Sequence, residues 1–165
     1  MKIFSHNLAG GLFSSSRDAL NKNLYTPEAL LHSKLCCLES YRNTAGQLHL
    51  KLCYPEIKGN NCNEWKQTSN PATEGTIQGF QKIKLAFPKN GAGGSWGGLG
   101  RSELHSSHTL MDDTGSAAYW WMAVGASRLY EEATRMGGSR DPGCGMDNGY
   151  HGGYKRVELH VKCDN

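Results

Sequence analysis

The chain has 165 residues, a mass of 18.1 kDa and a formal charge of +3, which predicts one domain over residues 1–165. Its 18 lysines and arginines are scattered along the sequence, which argues against a nucleic-acid surface because phosphate binding needs clustered positive charge. Since no apolar run approaches the roughly 18 residues that a spanning helix requires, we also expect no membrane span.

Six cysteines, an even number without a CxxC pair, favour disulfides over a zinc site: Cys36, Cys37, Cys53, Cys62, Cys144 and Cys163. Disulfides indicate an oxidising, extracellular compartment. Residues 1–11 are too short and polar for a signal peptide, so the chain is a mature form with an initiator Met or a cytosolic protein with free thiols. We favour the former and expect secretion.

Two N-terminal segments carry helix-start signals. Ser15 and Asp18 have capping-box spacing, which predicts a short helix over residues 17–23. Thr26 and Pro27 repeat the signal as N-cap and first helical position. Apolar residues then recur at helical spacing as far as Tyr41, namely Leu30, Leu31, Leu35, Cys37 and Leu38. Neighbouring Cys36 and Cys37 would point in different directions, so one could bond internally and the other reach a second subunit.

Four segments read as strands. Gln47–Tyr54 alternates, with its leucines and Tyr54 on one face, and a Cys53–Cys62 bridge would close the loop after it. Thr76–Phe87 contains a second alternating run. The continuous apolar run Tyr119–Val124 predicts a buried central strand.

The fourth strand is the most regular, since Val157, Leu159 and Val161 alternate with polar residues. Before it, Asn90–Gly100 has six glycines around Trp96 and predicts a loop pinned by that indole. The expected fold is α+β, a β-rich single domain with two short N-terminal helices packed on an antiparallel sheet.

The sequence makes no case for catalysis. Gly93–Gly97 reads G-x-S-x-G around Ser95, but no helix pattern follows it as a nucleophile elbow requires. None of the seven histidines falls in an HExxH zinc pattern. We therefore expect a binding protein rather than an enzyme.

The glycine-rich stretch Gly137–Tyr154 carries oxygen donors suited to calcium, which binds carboxylate, amide and backbone oxygens in flexible turns. Asp141, Asp147 and Asn148 are the predicted calcium ligands. Two acidic pairs are held in reserve: Asp112 with Asp113, and Glu131 with Glu132. The simpler interpretations are a turn for the first pair and a solvated face for the second.

The same stretch suits a sugar. The hydroxyls of a sugar ring can complete the shell of a calcium ion held by Asp141, Asp147 and Asn148, while its apolar face stacks on an aromatic ring. Tyr150 and Tyr154 are the predicted stacking residues, with His151 bonded to a hydroxyl. Galactose has a continuous C–H patch on one face and fits best. Alternatively, the tyrosines pack the loop down, or its glycines serve turns only.

The chain resembles the small galactose-binding lectins of sea anemones, the AJLec type. The strings that carry the resemblance are GGLFSSSRDALNKN, QLHLKLCYPE, CNEWKQTSNPAT, GFQKIKLAF, WGGLGRS, YWWMAVGAS and KRVELHV. A weaker likeness is to fibrinogen-like and intelectin domains, which also end in a glycine- and tyrosine-rich loop and a final strand.

The resemblance implies a calcium-dependent lectin that binds terminal galactose on lactose-like β-galactosides as a homodimer. We expect the dimer to be linked by a disulfide through Cys36 or Cys37. The rival interpretation is an extracellular-matrix module with the same framework and no sugar site.

Overall fold

The computed structural model describes residues 1–90, 94–102, 109–113, 122–127 and 156–163. Six strands form one antiparallel sheet in the order β2-β1-β8-β3-β4-β5, and β6 and β7 form a separate two-stranded sheet. The strands are β1 Lys2–Asn7, β2 Leu31–Ser33, β3 Leu48–Cys53, β4 Cys62–Gln67, β5 Gln81–Leu85, β6 Gly100–Arg101, β7 Met111–Asp112 and β8 Arg156–Val161.

Strand β8 lies near the middle of the large sheet, between β1 and β3. Val157, Leu159 and Val161 are buried on its core side, as their alternation predicts. The same holds for β3, where Leu48, Leu50 and Leu52 are fully buried. An alternating apolar strand buries one face, and that burial sets the register of the pairing.

The core side of the sheet is closed by the loop that follows β5. Trp96 is 2% exposed and meets Trp65 of β4 edge to face, with ring centroids 4.8 Å apart. Phe80 also meets Trp96 edge to face, with ring centroids 5.8 Å apart. This confirms that the glycine-rich loop is pinned by its indole.

The helix predictions need correction. The described residues contain three 3-10 helices, Leu8–Gly10, Asp18–Leu20 and Leu35–Tyr41. The start signal at Ser15 is real, because its hydroxyl accepts the backbone N–H of Asp18 at 3.0 Å. The helix predicted from Pro27 to Tyr41 is wrong over its first half: residues 31–33 form β2 and pair with β1, and helical turns begin only at Leu35.

Two strand predictions also change, and strand β4 was not predicted at all. Ile83 is 45% exposed rather than buried, because a register shift in the β4–β5 pairing takes it out of the alternating pattern. Tyr119 to Trp121 lie outside the described residues. Met122–Val124 is buried, and its one isolated bridge to another described residue joins Val124 to Met111.

Candidate functional site

Most of the predicted site lies outside the described residues. This applies to the predicted calcium ligands and sugar-contacting side chains, to the second reserve pair and to one cysteine: Asp141, Asp147, Asn148, Tyr150, His151, Tyr154, Glu131, Glu132 and Cys144. Downstream of them the chain enters β8 at Arg156, in the large sheet. The first reserve pair, Asp112 and Asp113, is described in full.

Asp112 and Asp113 lie at the end of the small sheet. Strand β7 pairs with β6, placing Asp112 opposite Gly100, and Met111 also bridges to Val124. This pairing draws the two acids into the interior, where Asp112 is 4% and Asp113 2% exposed. The simpler interpretation of the pair as turn residues is wrong for Asp112, which belongs to strand β7.

Burial, helped by the neighbouring charge of Asp113, raises the pKa of the Asp112 carboxyl to about 7 against the lowering effect of a hydrogen bond from Ser102. The Ser102 hydroxyl donates to Oδ2 of Asp112 at 3.2 Å. Within the described part of the chain, Asp112 makes no ion pair with a lysine, arginine or histidine. A bound cation would stabilise the ionised form of such a buried, unpaired carboxylate, because its positive charge would compensate the negative charge of the carboxylate.

The donor chemistry of the pair fits calcium, which prefers carboxylate and other oxygen ligands. Two carboxylates do not complete a shell of six to eight oxygens. Among the described residues, no group of three His, Cys, Asp or Glu side chains is placed to hold a metal ion. Further oxygen donors would come from backbone carbonyls, sugar hydroxyls and other side chains, for which Asp141, Asp147 and Asn148 are the sequence-based candidates.

One predicted disulfide is present. Cys53 and Cys62 face each other directly across β3 and β4 and are bonded. Cys36, Cys37 and Cys163 are free and exposed, and the sulfurs of Cys36 and Cys37 lie 3.1 Å apart. Burial and the hydrogen bond with Cys37 raise the pKa of the Cys36 thiol. Cys36 and Cys37 are thus accessible to a second subunit.

Ser95 of the G-x-S-x-G string is exposed on a turn, where it bridges to Lys89. The neighbouring Trp96 supplies the buried part of that turn.

In the described ranges, no helix is long and apolar enough to cross a membrane.

Sequence reasoning missed a basic surface on the outer face of the large sheet. The strand order β8-β3-β4-β5 brings onto one face three exposed lysines that are far apart in the sequence: Lys51 of β3, Lys84 of β5 and Lys162, which follows β8 directly. Lys51 lies between the buried Leu50 and Leu52, and Lys162 follows the alternating residues of β8, which was the available signal. The strand order that gathers them could not be read from spacing.

No family model, curated protein or solved structure gives a match to this chain.

Proposed function

We propose that this protein is a secreted, calcium-dependent lectin that binds terminal galactose on β-galactosides. The observation that carries the proposal is the buried Asp112 carboxylate, which has a raised pKa and no cation partner among the described residues. A calcium ion would balance that charge, and sugar hydroxyls would complete its shell. The disulfide between Cys53 and Cys62 supports an extracellular location.

In this proposal Asp141, Asp147 and Asn148 complete the calcium site with Asp112 and Asp113. Tyr150 and Tyr154 stack on the sugar, and His151 hydrogen-bonds to a hydroxyl. This chain's part is to bind and orient the glycan.

A single site should bind galactose weakly, with a Kd of about 0.1–1 mM, because a monosaccharide offers few atoms for contact.

A homodimer linked through Cys36 or Cys37 would place two sites on one particle, and avidity would then allow it to cross-link cells. Both cysteines are exposed and free, which such a link requires. Non-reducing electrophoresis of Cys36→Ser and Cys37→Ser tests it: one of the two variants should lose the dimer band, and an unchanged band in the double variant would remove this link.

The proposal is tested by passage over a galactose column in calcium, followed by elution with a chelator. Retention with chelator release supports the full proposal. If the protein is retained and only free galactose elutes it, galactose binding is supported and the proposed role of calcium is contradicted. Flow-through favours the matrix-module alternative.

The matched variants are Asp147→Ala and Glu28→Ala. Asp147→Ala should flow through the column while its thermal unfolding stays cooperative. Glu28→Ala should be retained like the parent, because Glu28 is not a proposed ligand and its side chain, 85% exposed, contributes little to the fold. Retention of Asp147→Ala would contradict the ligand assignment.

A further inference from the structure

The outer face of the large sheet carries a row of ionisable side chains that crosses five strands. Lys2, His160, Lys51, Glu64 and Lys84 stand opposite one another in successive strand pairs. At strand spacings of about 4.8 Å the row spans about 19 Å. It contains three lysines and one carboxylate.

A second row lies one alternation along the strands. His49 stands opposite Lys66, and its backbone carbonyl accepts the N–H of Lys162. Together the two rows bring five lysines onto one face, although no two of them are neighbours in the sequence.

The carboxylates on this face are already engaged. Oε1 of Glu64 lies 2.7 Å from Nε2 of His49. Glu158 holds Arg156 at 2.6 Å and also contacts Lys2 at 3.5 Å and His160 at 3.1 Å.

Three lysines remain in excess. Lys51, Lys84 and Lys162 are exposed, and within the described residues none of them forms an ion pair. The uncompensated charge of this face is therefore positive.

The face is also concave. Two adjoining hollows of about 360 Å³ and 300 Å³ share Lys51 and Glu64 as common lining residues. Lys162, His49 and His160 line the larger hollow. Lys84 lines the smaller one together with the amides of Asn60 and Asn61, which can bond to hydroxyls.

The surroundings favour a sugar polymer over a nucleic acid. Among the described residues, no Phe, Tyr or Trp ring lines either hollow, so nothing there offers the stacking platform that single-stranded bases use. The Cys53–Cys62 disulfide borders both hollows and indicates an extracellular setting.

We infer that this lysine-lined face is a binding surface for a sulfated glycan chain, formed by residues other than those proposed to bind calcium and galactose. Lys51, Lys84 and Lys162 pair with sulfate groups, and the amides and histidines bond to sugar hydroxyls. This surface contains none of the proposed calcium ligands. Binding of a sulfated glycan here therefore does not depend on galactose binding.

The probe is heparin, used with the full chain and with a chelator and free galactose present throughout. We expect retention on heparin that salt reverses, because lysine–sulfate pairing releases counterions. Failure to bind heparin at physiological salt would overturn the inference, whatever the galactose column shows.

Two double variants with the same change in net charge distinguish binding by the lysines of this face from non-specific attraction due to the net positive charge of the protein. Lys51→Gln with Lys84→Gln should weaken heparin binding about tenfold or more and lower the slope of log affinity against log salt by about two. The control is Lys34→Gln with Lys82→Gln. Lys34 lies 5.9 Å from the Tyr25 ring, and Lys82 stands opposite the core residue Trp65, so this pair should change heparin binding less than twofold. Equal losses in both variants would overturn the assignment.

Two further probes test the ligand class. Hyaluronan, which carries carboxylates and no sulfate, should bind at least tenfold more weakly than heparin, and equal binding would contradict sulfate recognition. Single-stranded DNA that binds as tightly as heparin and is lost in the Lys51 and Lys84 variant would replace the glycan with a nucleic acid.

Discussion

The side-chain amide of Gln67 is hydrogen-bonded in both directions to the backbone of Leu99, 32 residues further along the chain. Its Nε2–H donates to the Leu99 carbonyl at 2.9 Å, and its Oε1 accepts the Leu99 N–H at 3.2 Å. The indole N–H of Trp65 donates to the same Oε1 at 2.7 Å. One fully buried amide therefore ties β4 to the loop that carries Trp96.

Gln67→Leu should lower the free energy of unfolding by about 2–4 kcal/mol, since it leaves buried donors and acceptors on Trp65 and Leu99 without partners. Urea unfolding followed by tryptophan fluorescence measures this directly. Gln81→Leu is the matched control, because Gln81 is exposed on β5 and should change stability little. A loss below about 1 kcal/mol in Gln67→Leu would mean that water replaces the amide.

The same residues explain why β4 could not be predicted from the sequence, whereas β3 and β8 could. The buried side of β4 consists of Asn63, Trp65 and Gln67, so two of its three core positions are polar. Their partners come from distant segments: the Asn63 amide bonds to Phe87 in both directions at 2.9 and 2.8 Å. Apolar periodicity does not detect a strand whose buried face carries polar side chains that are hydrogen-bonded to distant segments.

The helix prediction for the N-terminal segment is wrong for a related reason. Leu35 and Leu38 are three residues apart, a spacing that a 3-10 helix satisfies as well as an α-helix. His32 and Ser33 are buried by pairing with β1, a non-local contact that outweighs local helix signals.

For the candidate site, the adjacency of Asp112 and Asp113 was visible in the sequence, but their burial was not. Burial here follows from the pairing of two-residue strands, which are too short to leave a periodic pattern. The basic face of the large sheet depends likewise on strand order.

Glu158 should make the protein sensitive to acid. The hydrogen bond from His160 lowers its pKa to about 2 against the opposing effect of burial, with help from Lys2 and Arg156. Because the folded pKa lies below the ordinary value of 4.5, the carboxylate contributes stability that is fully present above about pH 4.5 and is lost as pH falls towards 2. Glu158→Gln should therefore cost about 1–3 kcal/mol at pH 7, and the gap from the parent should close between pH 4.5 and 2.

Denaturant unfolding at several pH values gives this difference for Glu158→Gln. Glu28→Gln provides the control, since Glu28 is 85% exposed and 3.8 Å from Lys2, so the expected change is small at every pH. A gap that stays constant down to pH 2 would show that the charge of Glu158 is not responsible.

Asp112 should show the opposite dependence. Its folded pKa of about 7 exceeds the ordinary value of 3.8, so ionisation destabilises the fold increasingly as pH rises from about 4 to above 7. Without calcium, Asp112→Asn should match the parent at pH 4 and be more stable by about 2–4 kcal/mol at pH 8. With calcium, the parent should gain thermal stability and Asp112→Asn should not.

Thermal unfolding at both pH values, with calcium or chelator, tests these four cases. Asp18→Asn is the control with the opposite sign: burial opposes the shift, but hydrogen bonds from Ser14 and Lys22 lower the pKa of Asp18, so its loss should destabilise at pH 8. If Asp112→Asn is destabilised at pH 8 in chelator, a cation from the chain already neutralises Asp112.

The Cys53–Cys62 bridge should stabilise the fold by restricting the unfolded chain. The bonded cysteines are nine positions apart, and closing a loop of that size corresponds to about 2–3 kcal/mol in the chain-entropy treatment. Replacing both with serine should lower the free energy of unfolding by that amount, and urea unfolding of the purified variant measures it. Cys36→Ser, which alters a free and exposed thiol, should leave the value unchanged at a fixed oligomeric state. An equal loss in Cys36→Ser would show that replacing a cysteine with serine lowers stability without any disulfide, and would contradict the assignment of the loss to the bridge between β3 and β4.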